Sequence, residues 1–490
     1  MRRKRGGMSD TLLVEAEERR RMTLEALDPE EQARRGQYFT PARAAEIMAA
    51  LPRDPSTVEV RILDPGAGTG MLSVALVHRL LADCPGTRLH ITAVEDDPAL
   101  GAALVATLRE LEGLGDVSTE LVDENFLVWA DTTSERFDFV IQNPPYAKLS
   151  ANSVDQRRLR ASGVYVPNIY AAFLTLGGQL LKPGGQQVAI TPRSWMNGTY
   201  YARFRRAFLE DVGIDAIHTF ESRSKVFGDT GVLQESIIVS ATKGQHPDTV
   251  EVSTSTDHIG EIVTRTVPYE QIVTPDFVHV PATAADAEAV AWMQAHAQCT
   301  LEDLGLAVST GRVVDFRSRD AIVAAHEPGA VPLIHASHVR QQGVGHPIKP
   351  RKPEWFVPRD AQDRKMLVPG GAAYVLVKRF SAKEERRRIV AGVWESEAEA
   401  AFDNKVNFIH QDGQGIDSAV ARGLTAYLNT SRVDAYFRVF SGHTQVNATD
   451  LRQMRFPSRS ALRALAAATS PQGDLDAALD AVLDAKGVAA

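Results

Sequence analysis

The stretch Val58-Glu-Val-Arg-Ile-Leu63 continues directly into Asp64-Pro-Gly-Ala-Gly-Thr-Gly70, and Met71–Leu81 then follows with the spacing of a helix. A run rich in β-branched residues, a glycine-rich turn and a helix form the first half of a doubly wound α/β unit. Glycines let the backbone turn tightly and approach a ligand closely. The stretch therefore predicts a Rossmann-like fold whose loop binds the adenosyl or pyrophosphate part of a cofactor.

The spacing of the glycines separates this loop from two common phosphate-binding loops. A P-loop would need Lys followed by Ser or Thr after its last glycine, whereas Met71 and Leu72 follow here. A nicotinamide fingerprint would have its third glycine at position 71, whereas the glycines are Gly66, Gly68 and Gly70. A turn without any ligand is the structural alternative for the loop taken alone.

The region on both sides of the loop, residues 36–245, alternates between strand and helix patterns. Its further strand candidates are Leu89–Val94, Phe137–Ile141, Gln187–Ile190 and Ser236–Ser240. Strands that alternate with helices predict a doubly wound α/β sheet that binds its ligands at the carboxyl ends of the strands.

The second predicted strand ends in three acidic residues, Glu95-Asp96-Asp97. In doubly wound folds an acidic residue roughly 20–30 positions after the glycine loop holds the ribose, because a carboxylate accepts two hydrogen bonds side by side. Glu95 is the predicted ribose ligand. Asp96 and Asp97 are interpreted as a helix N-cap and a solvated charge, since Pro98 suits a first helical position.

The run Asn143-Pro144-Pro145-Tyr146 follows the strand Phe137–Ile141 and so lies at a strand's carboxyl end. Two acceptors, the Asn143 side-chain oxygen and the Pro144 carbonyl, would draw an adenine amino nitrogen toward tetrahedral geometry and aim its lone pair at a methyl sulfonium. The prolines fix the backbone so that this carbonyl projects into the site. Tyr146 would stack on a base swung out of the duplex. An Asn-Pro turn followed by a buried Tyr is the alternative.

With these motifs in this order, the sequence resembles the gamma-class N6-adenine DNA methyltransferases of restriction–modification systems, which have a TaqI-like catalytic domain. The resemblance is strongest over residues 36–245. Gly36-Gln37-Tyr38-Phe39-Thr40-Pro41 is similar to the N-terminal motif that holds the methionine end of the cofactor in this family. The resemblance implies S-adenosylmethionine as cofactor and double-stranded DNA as partner, with the target adenine flipped into the pocket at Asn143–Tyr146.

The resemblance also implies which residues form the site. The residues implied to bind the cofactor are Tyr38, Phe39, Thr40, Asp64, Gly66, Gly68, Glu95, Asn125 and Phe126. The family usually has an Asp-Phe pair beside the cofactor's adenine, whereas Asn125 precedes Phe126 here, and an Asn oxygen accepts a hydrogen bond without charge. Phe227 resembles the family's second aromatic beside the flipped adenine, with a core Phe as the alternative.

The rest of the chain divides into segments with different patterns. We expect an N-terminal helical arm at 1–35, a methyltransferase domain at 36–245, a connector at 246–300, a mixed α+β target-recognition domain at 301–458 and a helical tail at 459–490. Within the recognition domain, the runs Tyr374–Arg388 and Phe440–Asp450 resemble PstI- and BsuBI-type modification methylases.

These two runs contain the predicted DNA contacts. The basic residues of the first run, predicted to contact phosphates, are Lys378, Arg379, Lys383, Arg386, Arg387 and Arg388. A solvated helix face balanced by Glu384 and Glu385 is the alternative. In the second run, His443, Thr444, Gln445 and Asn447 suit base readout or filling the gap left by a flipped base, and equally a hydrogen-bonded turn.

Composition limits the remaining function classes. The 490 residues are 44% hydrophobic and 24% charged, and no apolar run approaches the ~18–20 residues that span a bilayer. Two cysteines, Cys84 and Cys299, are too few for a disulfide framework or a four-cysteine zinc site and favour a reducing cytoplasm. The family resemblance implies that this cytoplasm is bacterial or archaeal. A net charge of -8 excludes no nucleic-acid partner, because phosphate contacts need only a basic face.

Other features of the sequence limit sorting, metals and partners. The basic start of the chain precedes a charged helical pattern, unlike a signal peptide, and Met8 is as good a start as Met1. His335, His338 and His346 have no metal-ligand spacing, so no metal is expected. We expect a monomer, with any cognate restriction endonuclease acting separately. Alternatives are methylation of a protein glutamine or of ribosomal RNA amino groups, or a DNA-binding subunit without activity.

Overall fold

The structure is a computed structural model that divides into two compact units, Met1–Ala282 and Thr283–Ala490. It describes residues 9–197, 199–220, 236–274, 277–281, 283–341, 343–348, 352–381, 385–440, 445–470 and 473–487. In these ranges, no helix combines the length and the apolar character needed to cross a membrane.

The first unit is built on one mixed sheet, which has nine strands among the described residues. These strands are β1 Glu59–Pro65, β2 Arg88–Val94, β3 Val117–Val122, β4 Phe137–Gln142, β5 Leu181–Pro192, β6 Val212–Phe220, β7 Ser236–Lys243, β8 Thr249–Ser255 and β9 Val263–Pro268. Their order is β3-β2-β1-β4-β5-β7-β6-β8-β9. Strands β1 to β5 are parallel, and β7 runs antiparallel between β5 and β6. The predicted doubly wound α/β fold is confirmed.

Helices cover both faces of this sheet. They are α1 Ser9–Ala26, α2 Pro29–Arg35, α3 Ala42–Ala50, α4 Met71–Asp83, α5 Pro98–Glu112, α6 Phe126–Thr132, α7 Val154–Ala161, α8 Ile169–Leu180, α9 Ala202–Asp211 and α10 Tyr269–Ile272. Neighbouring residues of β1 belong to different cores: Ile62 packs in the cluster that contains Met48 and Val74, and Leu63 packs in the cluster that contains Phe173. Side chains on a strand alternate between faces, so this strand is buried on both sides.

The N-terminal helix corrects the expectation of a peripheral arm at 1–35. Leu12, Leu13 and Ala16 of α1 are buried in the same core as α4 and α5. Some of the charged residues of α1 are paired within the unit. Arg19 binds Glu110, and Arg20 forms an ion pair of 2.8 Å with Glu17.

The sheet also continues beyond residue 245, where the sequence predicted a connector. Strand β8 pairs parallel with β6, and β9 pairs antiparallel with β8. The residues of β8 alternate between exposed and buried positions, as expected for a strand near the edge of a sheet. The later part of the expected connector contains helix α11, Ala284–His296, which belongs to the second unit.

The second unit is the mixed α+β domain that the sequence predicted. Its strands are β10 Ala307–Thr310, β11 Ile322–Val323, β12 Val331–Ile334, β13 Val339–Arg340, β14 Gly343–Val344, β15 Trp355–Phe356, β16 Leu367–Val368, β17 Ala372–Lys378, β18 Ala391–Ser396, β19 Ala400–Phe402 and β20 Val406–His410. Its helices after α11 are α12 Ala361–Arg364, α13 Ser418–Leu428, α14 Ser431–Phe440, α15 Ala448–Gln453, α16 Arg459–Ala468 and α17 Leu475–Gly487. Its two larger sheets have the orders β10-β20-β17-β18 and β11-β15-β12-β19-β16.

The C-terminal tail expected at the surface is partly buried. In α16, Ala461, Leu462 and Leu465 are buried, and a Cβ atom on Gly423 of α13 would lie 1.9 Å from the carbonyl oxygen of Leu462. The two helices therefore pack backbone to backbone at this point, and residues 459–468 are part of the second unit.

Candidate active site

The glycine loop joins β1 to α4 at the point where the strand order reverses between β1 and β4. Ligands of doubly wound sheets bind at such a switch point. The loop is held against the end of β2, because the amides of Gly66 and Ala67 donate to the carbonyl of Val94 at 2.8 and 3.1 Å. Gly68 has a φ of +61°, and a Cβ atom there would lie 3.5 Å from the ring of Phe39. A side chain at this position would be strained by the backbone conformation, and its Cβ atom would lie in van der Waals contact with that ring.

Asp64, assigned to the cofactor from sequence, lies beneath the loop instead. Its carboxyl group is fully buried, and one oxygen accepts from the amide of Ser73 at 3.2 Å and from its hydroxyl at 2.7 Å. Burial raises the pKa of Asp64 to about 7. Asp64 therefore acts by fixing the start of α4 under the loop, and the cavity is lined by the residues above it.

Glu95 lies at the end of β2 and joins the glycine loop to the next helix. One carboxylate oxygen accepts from the amide of Gly68 at 2.8 Å and the other from the amide of Asp97 at 3.0 Å. Burial raises the pKa of Glu95, against the effect of these two hydrogen bonds. Asp97 caps α5 through the amide of Ala99 at 3.0 Å, with Pro98 as first helical residue, which confirms the predicted cap.

A cavity of about 470 Å³ opens above the loop, within the usual size range of small-molecule sites. Most of the predicted cofactor residues line it together with two residues of the proposed catalytic run. These lining residues are Tyr38, Phe39, Thr40, Gly66, Gly68, Glu95, Asn125, Phe126, Asn143 and Pro145. The structure therefore brings together five segments that are distant in sequence.

Asn125 lines this cavity, but its side chain is used differently from the sequence expectation. Its oxygen caps α6 by accepting from the amide of Leu127 at 3.0 Å. Its Nδ2 donates to Asp96 at 2.8 Å. The oxygen that was predicted to bind the cofactor's adenine thus holds the start of a helix. Phe126 is buried against Phe173, with 4.7 Å between ring centroids.

The segment 36–40 lies directly against the run 143–146. The amide of Tyr146 donates to the carbonyl of Gly36 at 3.0 Å. Gly36 has a φ of +68°, and a Cβ atom there would lie 2.9 Å from the amide nitrogen of Tyr146. Gly36 is the first residue of the motif Gly36–Pro41, and the sequence predicted no role for it. The available signal was a glycine two residues before Tyr38, at the start of the segment predicted to bind the cofactor.

Asn143 is oriented by this contact between the two segments. Its Nδ2 donates to the backbone carbonyl of Tyr38 and to the hydroxyl of Thr40, the latter at 3.0 Å. Two acceptors on one side of the amide fix which atom is nitrogen. Its oxygen is buried and has no hydrogen-bond partner among the described residues. Pro144 beside it is buried.

Tyr146 is held by other aromatic residues. Its ring centroid lies 5.3 Å from that of Tyr38 and 6.3 Å, edge-on, from that of Tyr170. Its hydroxyl donates to the carbonyl of Ile190 at 3.3 Å, and burial raises its pKa. Tyr170 was missed in the sequence, because a tyrosine in an apolar helix gives no sign that it touches a strand end.

The structure places the predicted DNA contacts in different surroundings. Phe227, His443, Thr444 and Lys383 lie outside the described residues, and so does Glu384, which belonged to the alternative of a solvated helix face. Arg386 is exposed and Lys378 is half-buried at the end of β17. Arg379 and Gln445 lie on adjoining segments, because Phe380 and Gln445 form a β-bridge and the amide of Val446 donates to the carbonyl of Arg379 at 2.7 Å.

Arg388 corrects the interpretation of the basic run as one phosphate-contacting surface. It is fully buried, its Nε donates to Ser381 at 3.2 Å, and its guanidinium lies 5.4 Å from the ring centroid of Phe437. Its own backbone amide donates to Asp434 at 2.6 Å. Arg388 is therefore a core residue of the second unit.

Three histidines of the second unit lie close together, although their sequence spacing suggested no cluster. His338 accepts from the amide of His335 at 2.8 Å and donates from its other nitrogen to Glu354 at 2.9 Å. The ring nitrogens of His335 contact the Asp403 carboxylate and the carbonyl of Pro353. Burial alone would lower the pKa of His335, but these two acceptors raise it above its usual value. Hydrogen bonds thus occupy both ring nitrogens of these two histidines.

Comparison with known proteins gives the family. The model of the Eco57I restriction-modification methylase family matches residues 106–227. The chain is 38% identical to the type II methyltransferase M.BsuBI of Bacillus subtilis over 93% of this chain and 94% of that protein. It is 36% identical to the type II methyltransferase M.PstI of Providencia stuartii over 90% of each chain.

A shorter likeness involves an enzyme that acts on another nucleic acid. The tRNA1(Val) (adenine(37)-N6)-methyltransferase of Mannheimia succiniciproducens is 31% identical over 98 residues, which is 20% of this chain and 38% of that protein. In contrast, the likeness to the two type II enzymes extends over both units described above. The chain therefore belongs to the S-adenosylmethionine-dependent DNA methyltransferases of type II restriction–modification systems, in the family of M.BsuBI and M.PstI.

Proposed function

We propose that the chain transfers a methyl group to the exocyclic N6 of an adenine in double-stranded DNA, with the target base turned out of the helix. The observation that carries the proposal is the Asn143 side chain, whose nitrogen is fixed by Tyr38 and Thr40 and whose oxygen is buried without a partner among the described residues. Leaving a buried acceptor unpaired costs about 1–3 kcal/mol. An amino hydrogen of a bound base would remove that cost.

The chemistry needs an acceptor at this place. The N6 lone pair is delocalised into the adenine ring, and acceptors on the amino hydrogens draw the nitrogen toward tetrahedral geometry. S-adenosylmethionine supplies an electrophilic methyl group on a sulfonium. Asn143 lines the cofactor cavity, so the acceptor and the methyl donor share one site. The N6 proton becomes acidic once the new bond has formed and is lost to water, so the site acts by positioning.

Tyr146 supports the part of the proposal that concerns the flipped base. Its ring is fixed by Tyr38 and Tyr170, and its hydroxyl is bound to the main chain of β5. A ring held in this way loses little freedom when a base stacks on it. Stacking of a base on an aromatic side chain contributes about 1–3 kcal/mol. The Pro144 carbonyl is proposed as the second acceptor.

The relatives support two separate parts of the proposal. The name of the tRNA methyltransferase specifies N6 of adenine, and its likeness to this chain favours the same nitrogen here. The likeness to the type II enzymes includes the second unit. This unit contains the exposed Arg386, and it contains Arg379 and Gln445 on two segments that adjoin each other. This unit is proposed to contact phosphates and bases of duplex DNA.

The test is a methylation assay with tritiated cofactor, using genomic DNA from a methylation-free host and, separately, total tRNA and ribosomes. We expect label in N6-methyldeoxyadenosine after digestion of the DNA to nucleosides. Label in a methylated cytosine, or only in RNA or protein, would contradict the proposal.

The variant Asn143→Ala separates catalysis from binding. Loss of a positioned group that acts in the transition state typically lowers kcat by about 100- to 1000-fold. We expect a loss of this size in single-turnover methylation, while Kd for the DNA changes little. An unchanged rate would refute the role of Asn143.

A further inference from the structure

Asp96 is a second carboxylate at the end of β2, next to Glu95. Both residues line the cofactor cavity. Asp96 is exposed, and one of its oxygens accepts from the Nδ2 of Asn125 at 2.8 Å. Its other oxygen has no partner among the described residues. The carboxylate is thus fixed at one oxygen and open at the other.

The adenine of the cofactor needs an acceptor for its exocyclic amino group. Glu95 already accepts one backbone amide on each oxygen and is placed for the ribose. The oxygen of Asn125 is used by the amide of Leu127, so an amide at this position presents its nitrogen to the surroundings. A donor such as this nitrogen does not complement another amino group.

We infer that Asp96, positioned by Asn125, accepts the hydrogen bond from the amino group of the cofactor's adenine. The carboxylate expected at position 125 is thereby supplied from the neighbouring strand end. Asn125 uses its oxygen to cap α6 and its nitrogen to hold Asp96. The exchange of Asp for Asn at position 125 and the presence of Asp at position 96 are two parts of one arrangement.

Two other carboxylates of the cavity, Glu124 and Asp155, provide matched comparisons. Glu124 is exposed next to Asn125, and Asp155 lies in the first turn of α7. Neither has a hydrogen bond to the cap of α6 that would hold it over the adenine end of the cavity. If either were the acceptor, its removal and not that of Asp96 would abolish recognition.

The experiment measures binding by calorimetry and needs no methylation. The ligands are S-adenosylhomocysteine and its 6-deamino analogue, in which hydrogen replaces the adenine amino group. A hydrogen bond to a charged acceptor at a partly exposed site corresponds to about tenfold in Kd. We expect the full-length protein to prefer the amino ligand by about this factor, and Asp96→Ala to bind both ligands equally.

The controls keep each outcome decisive. The Kd of the deamino analogue should be the same for Asp96→Ala and wild type, which shows that the variant is folded. Glu124→Ala and Asp155→Ala should keep the preference. The double variant Asp96→Ala with Asn125→Asp should regain it, since an aspartate at 125 can cap α6 with one oxygen and accept with the other. Retention of the preference in Asp96→Ala, or its loss in either control, overturns the inference.

Discussion

Two asparagines at the rim of one cavity show how hydrogen bonds decide the use of a side chain. Asn143 binds the protein through its nitrogen, and its buried oxygen has no partner among the described residues. Asn125 binds the protein through both of its polar atoms. The sequence predicted that both residues belong to the site, because the motifs are local. It could not predict which polar atoms of each amide the protein itself binds, since the partners Tyr38, Thr40 and Asp96 come from other segments.

Asp64 gives a pH prediction at the same scale. Its pKa is about 7 in the folded protein against 3.8 for an ordinary aspartate, so the folded state binds this proton more tightly than the unfolded chain. Folding stability from this group is therefore highest at low pH, falls as pH rises from 3.8 to about 7, and is constant above.

The variant Asp64→Asn has no charge to bury and is expected to escape this loss. Relative to wild type it should gain on the order of 3 kcal/mol between about pH 5 and about pH 8, because about two pH units of that range lie below the pKa of Asp64 and each corresponds to about 1.36 kcal/mol. The measurement is Tm of both proteins at about pH 5 and about pH 8. A Tm difference that stays the same at the two pH values would show that Asp64 does not titrate in this range.

At the level of helices and strands, local sequence patterns predicted the elements that follow one another closely in the chain. They missed elements whose packing or pairing partners are distant in sequence. Strands β1, β2 and β4 were recognised because each leads into a turn with a clear motif. Strand β8 was not recognised, because it leads into no such motif and because its partner β6 is separated from it in sequence by β7. Helix α1 was misjudged because three of its apolar residues, Leu12, Leu13 and Ala16, are buried although others, such as Val14 and Met22, are exposed.

Gly36 gives a prediction about how the segment before α3 supports catalysis. In Gly36→Ala the new Cβ atom would meet backbone atoms of Tyr146 and Ala147 at 2.9 Å, in a conformation with φ of +68°. We expect methylation to fall at least ~100-fold, because a displacement of about 1 Å at a catalytic group has this effect.

The matched control is Gly86→Ala. Gly86 has a φ of +90°, and nothing lies within 4 Å of a Cβ atom built there. It should share the cost of the left-handed conformation, about 1 kcal/mol in the free energy of unfolding, and keep full activity. Denaturant unfolding and single-turnover methylation of both variants decide. Equal activity of the two would show that the contact with Tyr146 is dispensable.

At the scale of the whole molecule, the change of sequence pattern correctly predicted a methyltransferase unit and a second mixed unit. It did not predict the position of the boundary between them. The chain divides at 282/283 because β8 and β9 join the first sheet. Likewise α16 packs on α13 and belongs to the second unit. Net charge gave no help, since -8 for the chain is compatible with a local basic surface. Arg386 is exposed and Arg388 is buried, a difference that the sequence alone does not show.

These two arginines predict opposite phenotypes. Arg386 is exposed, and Arg386→Gln should weaken binding to any DNA sequence and lower the slope of log K against log salt by about 0.9 for one lost phosphate contact. Arg388→Gln should instead lower the stability of the second unit, because it removes a buried cation from its partners Ser381 and Phe437.

The measurements are a salt titration of DNA binding and a denaturant melt, made on both variants. Arg463→Gln serves as the control, since Arg463 is exposed and pairs with Asp417 at 3.5 Å. A salt slope for Arg386→Gln that equals that of the control would remove Arg386 from the DNA contacts.

Because residues 36–40 contact residues 143–146, we expect that the enzyme can be split into two fragments that are active only when they associate. The turn at Gly86 lies between the two segments, and a Cβ atom at Gly86 would touch nothing. A chain cut there places Tyr38 and Thr40 on one fragment and Asn143 on the other, so neither fragment alone orients the amide. Methylation would then require the fragments to meet. If each fragment were fused to one of two interacting proteins, association of those proteins would restore methylation and mark the DNA.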